Sequence, residues 1–219
     1  MAQQAKRYIP AAGSDWLLPL YDPVAKLMGM EKARTALLDQ ATLRPLSRVL
    51  DIGCGTGSFC ILVKRLHPDV EVVGLDPDPK ALERSRRKAK LAKVKIQFDE
   101  GFSESLPYGD ATFDYLFSSM MFHHLELSDK EKTLLEVRRV LKPGGLFAMV
   151  DFTTPESAIG RVLTRFFHPE ILKDNSEDRI LKLMMKAELV NAKVVGHSTL
   201  SLGRLVYYQG LSVRHEASA

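Results

Sequence analysis

Two carboxylates and one glycine turn carry the most legible chemistry in this chain. In "RVLDIGCGTG", residues 48–57, an apolar run ends on Asp51 and is followed by Gly53, Gly55 and Gly57. A second apolar run, "VEVVGLD", ends on Asp76. Glycine turns after strands commonly cradle phosphates, and the dinucleotide fingerprint spaces its glycines G-x-G-x-x-G. Here the spacing is G-x-G-x-G and residue 58 is Ser. Asp51 would also face a pyrophosphate at low effective dielectric, where like charges repel strongly. An ammonium or sulfonium would instead be attracted, and the helix N-terminus after the turn suits a carboxylate. A zwitterionic amino acid meets both demands.

Asp76 adds a sugar. A carboxylate at the end of a second strand accepts hydrogen bonds from vicinal ribose hydroxyls. An amino-acid part plus a ribose part points to S-adenosyl-L-methionine. The competing reading is a glycine turn with two unrelated surface acids, and the agreement of turn, strand-end acid and βαβ order argues against it. His123 and His124, in "MMFHHLE", could act as a base for an acceptor that must lose a proton. Packing for one and solvation for the other is the alternative. His168, in "RFFHPE", could contact an acceptor, whereas His67 and His197 read as a helix end and a strand residue.

The elements that must position these groups follow from periodicity. "SRVLDI", "VEVVGLD", "VKIQF", "TFDYLFS" and "LFAMVDF" read as strands, with "AKVVGH" and "RLVYYQ" as a sixth and seventh. Between the first two, Phe59, Leu62, Val63 and Leu66 recur on one helix face. A basic helix follows Pro79, and Ser128 with Glu131 predicts a capping box for a helix through "LLEVRRVL". "KPGG" reads as the turn into the fifth strand, and a helix spans about 176–189. This alternation argues for a mostly parallel sheet with helices on both faces. Residues 1–46 read as a polar tail and two short helices broken by Pro19, Pro23 and Pro45. Residues 153–175 read as an insertion. Both could fold as a lid over the carboxyl edge of the strands, where open sheets bind ligands. The expected organisation is one domain over 1–219: a helical lid segment (1–46), a cofactor-binding half (47–152), then the insertion and final strands (153–219).

Composition narrows the class. The 219 residues are 45% hydrophobic and 26% charged, ample for a full core. Two cysteines, Cys54 and Cys60, form neither a metal knuckle nor a disulfide framework, so a cytoplasmic location is expected and no metal is. No apolar run approaches a membrane span. Residues 80–95 hold eight Lys or Arg against Glu83. Leu82, Ser85, Ala89 and Ala92 would form the buried face of that helix and turn the charges outward. A solvated face is the favoured reading. RNA contact is disfavoured because no aromatics are interleaved for base stacking. A peripheral membrane contact through "WLLPL" or "RVLTRFF" stays open beside lid packing.

"VLDIGCGTG", "GLDPDP", "FSESLPYGDATFDYLFSSMMFHHL" and "EVRRVLKPGGLFAMVDF" resemble, in order, the signatures of class I S-adenosylmethionine-dependent methyltransferases. The resemblance is to the small-molecule branch that includes quinone-biosynthesis enzymes, and it runs from about Val49 to Phe152. It implies a Rossmann-like seven-stranded sheet with the last strand antiparallel. It also implies that Asp51 and the Gly53-Cys54-Gly55 turn hold the methionine part, that Asp76 holds the ribose, and that Pro77 packs on adenine. Relatives place an acid where this chain has Phe102, so the adenine contact falls to backbone, to Ser103 or to stacking. The Ser118 carbonyl would meet the cofactor's amino group. Tyr21 could reach the cofactor from the lid, or pack between helices. Transfer to a small, apolar or aromatic acceptor is the expected activity. A macromolecular acceptor or a non-catalytic cofactor-binding subunit is the alternative.

Overall fold

The computed structural model describes residues 18–153, 175–200 and 203–213. Tyr21 is described by its backbone alone, within α1, and His168 and most of the expected insertion lie outside the described residues. The elements run α1 (Leu18–Leu27), α2 (Met30–Asp39), β1 (Arg48–Ile52), α3 (Ser58–Leu66), β2 (Glu71–Asp76), α4 (Pro79–Leu91), β3 (Gln97–Glu100) and β4 (Phe113–Ser119). They continue with α5 (Leu127–Val140), β5 (Leu141–Phe152), α6 (Glu177–Lys186), β6 (Val190–Leu200) and β7 (Gly203–Leu211). The seven strands form one sheet in the order β3-β2-β1-β4-β5-β7-β6. β7 lies antiparallel between β5 and β6, and the strands from β3 to β5 are parallel. This is the mostly parallel sheet the alternation predicts, in the Rossmann-like form with an antiparallel last strand that the resemblance implies.

Period-two alternation splits the core. Val49, Tyr115, Phe117, Leu205 and Tyr207 face one side, packed with side chains of α2, α3 and α4. Leu50, Ile52, Leu116, Val206 and Tyr208 face the other, packed with α5 and α6. Asp51 follows Val49 by two, so it turns to the α2–α3 side of β1. β1 has β2 on one flank and β4 on the other, so chain order reverses there. At such a switch point the strand ends leave a crevice.

Several local expectations need correction. Pro19 and Pro23 do not break the first helix: both lie within α1. Pro19 falls in the first turn, where an N–H would have no intrahelical partner, and Pro23 omits a single hydrogen bond. The capping box does not form, because α5 begins at Leu127 with Glu126 as its extended N-cap and Ser128 already helical. "KPGG" lies inside β5, where Gly144 adopts φ +77° and the pairing with β4 slips between Phe113 and Tyr115. The third strand starts at Gln97, so Val94 and Ile96 precede it.

The basic helix α4 is also less solvated than its composition suggests. Ala81, Leu82, Ser85 and Ala89 are buried, while Ala92 is only partly so. Arg84 and Lys88 turn towards Asp22 of α1, at 3.1 and 2.8 Å. Arg86 donates to the Phe98 carbonyl at 2.8 Å. Among the described residues no helix is long and apolar enough to cross a membrane.

Candidate active site

The carboxyl ends of β1 to β4 surround a cavity of about 520 Å³. Its first wall is the turn after β1. Gly53, Gly55 and Gly57 all adopt left-handed φ, +68°, +52° and +72°. The alternate-residue spacing therefore reflects a backbone that needs positive φ at every second position. Space enforces it too. A Cβ on Gly53 would lie 2.2 Å from Cγ of Met121, and one on Gly57 would lie 2.7 Å from Cβ of Ser85. The turn is pinned by Gly53 and Cys54 N–H groups donating to the Leu75 carbonyl, at 2.8 and 3.0 Å.

Asp76 serves as a hub. Its Oδ2 accepts from the Gly55 N–H at 2.8 Å and its Oδ1 from the Asp78 N–H at 2.9 Å. Each oxygen keeps a lone pair for a further donor. Burial raises its pKa to about 6, against the opposing pull of those two amides. Asp78 in turn caps α4 by accepting from the Lys80 N–H at 2.9 Å.

Asp51 is fully buried at the cavity wall. Its Oδ2 accepts the Cys60 thiol at 3.3 Å, while its Oδ1 has no hydrogen-bond partner. Burial raises its pKa to about 7; the Cys60 hydrogen bond and the positive charge of Arg34 oppose that rise, and Asp76 adds to it. A buried carboxylate oxygen without a donor is costly, and a ligand ammonium would satisfy it. Both cysteine thiols are buried and shifted upward by desolvation, Cys54 to about 11. They are poor nucleophiles and poor metal ligands.

The remaining expected residues divide. Pro77, Phe102 and Ser103 line the cavity, and Ser103 Oγ lies 2.9 Å from Thr133 Oγ1 of α5. Ser118 does not line it; the side chain is buried in β4, and Ser119 lines the wall instead. Just beyond, Met120 takes φ +56°, a strained conformation for a non-glycine residue that turns the chain sharply out of the sheet. His124 lines the cavity and His123 does not, but the two rings are in contact, tilted by 43° with 3.9 Å between centroids. Two further residues carried no local sequence signal strong enough to single them out. Asp151, at the end of β5, holds His123 through both carboxylate oxygens. Arg34 reaches the cavity from α2. Each is a charge within an apolar stripe, which is the feature that betrays it.

Comparison with known proteins fits this geometry. A family model described as a methyltransferase domain matches residues 49–145. The demethylmenaquinone methyltransferase of Thermus thermophilus is 33% identical over 155 residues, 69% of this chain and 70% of that protein. The enzyme of the same name from Deinococcus radiodurans is 34% identical over 159 residues, 71% of this chain. The match spans 65% of the Deinococcus protein's length. In fold, the phosphoethanolamine N-methyltransferase 2 of Haemonchus contortus superposes with a TM-score of 0.80 at 15% identity, covering 92% of this chain and 58% of that one. The chain belongs to the class I S-adenosylmethionine-dependent methyltransferases, in the branch of the quinone-biosynthesis enzymes. Its cofactor is S-adenosyl-L-methionine, and the residues present suit it: an orphaned buried carboxylate for an ammonium, and a second strand-end carboxylate for ribose hydroxyls.

Proposed function

We propose that this chain methylates a small molecule bearing a hydroxylated aromatic ring of the quinol type, and that His123 removes the acceptor's proton. The observation that carries this reading is the Asp151–His123 pair beside the cavity. Asp151 Oδ1 lies 2.5 Å from His123 Nδ1, and Oδ2 accepts the His123 N–H at 2.9 Å. A carboxylate is an acceptor, so Nδ1 carries the proton and Nε2 presents its lone pair. The edge-on contact of His123 with Phe152, 5.3 Å between centroids, and the tilted His124 ring against it limit its rotation. When bound, the cofactor supplies a methyl group activated by its sulfonium.

The protein's share is alignment, water exclusion and proton removal. Asp51 and the Gly53–Gly55 turn would hold the amino-acid end and Asp76 the ribose. Pro77, Phe102 and Ser103 would enclose the adenine. His123 takes the hydroxyl proton on Nε2 as the acceptor oxygen or ring carbon becomes nucleophilic, and Asp151 stabilises the resulting imidazolium. Apolar side chains of Met120, Met121 and Leu125, which line the cavity beside His124, suit a flat apolar ring. The names of the two demethylmenaquinone methyltransferases support such an acceptor. The RNA reading loses support because Arg84, Lys88 and Arg86 are engaged within the protein.

The test is transfer of labelled methyl from S-adenosylmethionine to demethylated quinol and to other phenolic compounds. The expected result is label in a solvent-extractable product, lost in His123→Gln. Label found only in a nuclease-sensitive fraction of cell extract would sink this proposal.

A further inference from the structure

One side of the cofactor cavity holds an arrangement that the glycine-turn motif does not explain. α2 buries Met30, Ala33, Leu37 and Leu38. Arg34 stands four residues after Met30 and three before Leu37, inside that buried stripe, where an arginine is rare unless partnered. It lines the cofactor cavity together with Asp51, Gly53 and Gly55. Its Nε is buried and has no hydrogen-bond partner among the described residues. Asp51 Oδ1, on the same sheet face and the same cavity, is orphaned in the same way. The two are near enough for Arg34 to act on the ionisation of Asp51, yet they do not close into an ion pair. A cavity lined by both an unpartnered cationic donor and an unpartnered anionic acceptor is built for a group carrying both charges.

We propose that Arg34 binds the carboxylate of the cofactor's amino-acid end, so that Arg34 and Asp51 together select an intact zwitterion. Asp51 takes the ammonium and Arg34 the carboxylate. A guanidinium suits this task because its planar fork matches a carboxylate. The consequence is specificity. Adenosyl compounds that keep the sulfonium and ammonium but lack the carboxylate leave the half-buried Arg34, with its buried Nε, unpaired. They are rejected by the protein and not merely bound with one contact fewer.

Titration calorimetry with S-adenosylmethionine and its decarboxylated analogue tests this without relying on turnover. The wild-type protein should bind the intact cofactor about 10- to 100-fold more tightly than the analogue. Arg34→Met should weaken the intact cofactor by a similar factor, leave the analogue within about twofold, and so erase the discrimination. Arg34→Lys should restore part of it. Equal wild-type affinity for both ligands overturns the proposal with no variant needed. Equal weakening of both ligands by Arg34→Met, or no weakening of either, also overturns it and makes Arg34 a packing residue of α2. Failure of the wild type to bind S-adenosylhomocysteine would instead reject the cofactor site as a whole.

Discussion

Asp151 grips His123 at two points, accepting the backbone N–H on Oδ2 and facing the ring Nδ1 with Oδ1. One carboxylate thus fixes both where the residue sits and which ring nitrogen carries the proton. Oδ1 also accepts the Phe152 N–H at 2.7 Å, so the carboxylate is itself held by the end of β5. The pair is rigid because a strand end and a turn share it.

Asp151→Asn is expected to lower methyl transfer about 10²- to 10³-fold, because an amide in that place can favour the wrong tautomer of His123. Cofactor affinity should stay within about twofold, since neither residue lines the amino-acid end. Single-turnover transfer, read beside calorimetric binding, separates the two effects. A fall in affinity with transfer unchanged would refute the role of the pair.

Cofactor binding should follow a bell-shaped pH curve. Burial holds the free-protein pKa of Asp51 at about 7, and only its carboxylate attracts an ammonium. Affinity is therefore present above pH 7 and is lost as pH falls through it, by up to about tenfold per unit. Asp76, raised by burial to about 6, steepens the loss below that pH. On the alkaline side the cofactor's own α-amino group, with a pKa near 8, gives up its proton. Fluorescence titrations from pH 5 to 9 should show a maximum between those limits, and Asp51→Asn should flatten the acidic limb.

Asp22 latches the N-terminal helices to the cofactor turn. Its Oδ1 accepts from Thr56 Oγ1 at 2.7 Å, Ser58 Oγ at 3.0 Å and Lys88 Nζ at 2.8 Å, and its Oδ2 accepts from Arg84 Nε. Burial alone would raise its pKa; the hydrogen bonds of Lys88 and Thr56, the charge of Lys88 and the Arg84 hydrogen bond outweigh it and bring it to about 2. The folded value lies below the ordinary 3.8, so the stabilisation is present above that pH and is lost as pH falls towards 2. Asp22→Asn should cost about 2 kcal/mol in urea unfolding at neutral pH, and the difference from wild type should shrink under acid. An unchanged midpoint would show that the latch carries no stability.

Gly53→Ala should destabilise the protein by about 2 kcal/mol or more and weaken cofactor binding, through both positive φ and collision with Met121. Met121→Ala added to it should remove the contact with Cγ but leave both the residual contact with Cβ of residue 121, at 2.7 Å, and the backbone strain. Partial recovery of the thermal midpoint in the double variant is the expected reading. Full recovery would show that φ contributes nothing.

The strands from β1 to β5 were legible because each is a short apolar run between turn-forming residues, and the intervening helices repeat every three to four residues. The glycine turn and Asp76 announced a charged, ribose-bearing ligand through residue type alone. What the sequence concealed depends on distance along the chain. Asp22 meets Lys88 across 66 positions, and His123 meets Asp151 across 28, and no local pattern encodes either meeting. The basic helix looked solvated because its composition does not reveal that a distant acid and a carbonyl draw three of its cations inward. Arg34 was legible in principle, as a charge inside the apolar stripe of α2, but short helices show such stripes faintly.

The sheet order carries a last consequence, for how the molecule is assembled. β7 joins β6 as a hairpin and also provides the neighbour of β5, so β6 reaches the sheet only through it. Until that hairpin docks, the outer edge of β5 presents an unpaired backbone next to Phe147, Met149 and Val150. An open edge of this kind pairs readily with another chain. Late docking of the hairpin would make the half-built sheet, rather than the finished fold, the species most prone to aggregate during refolding.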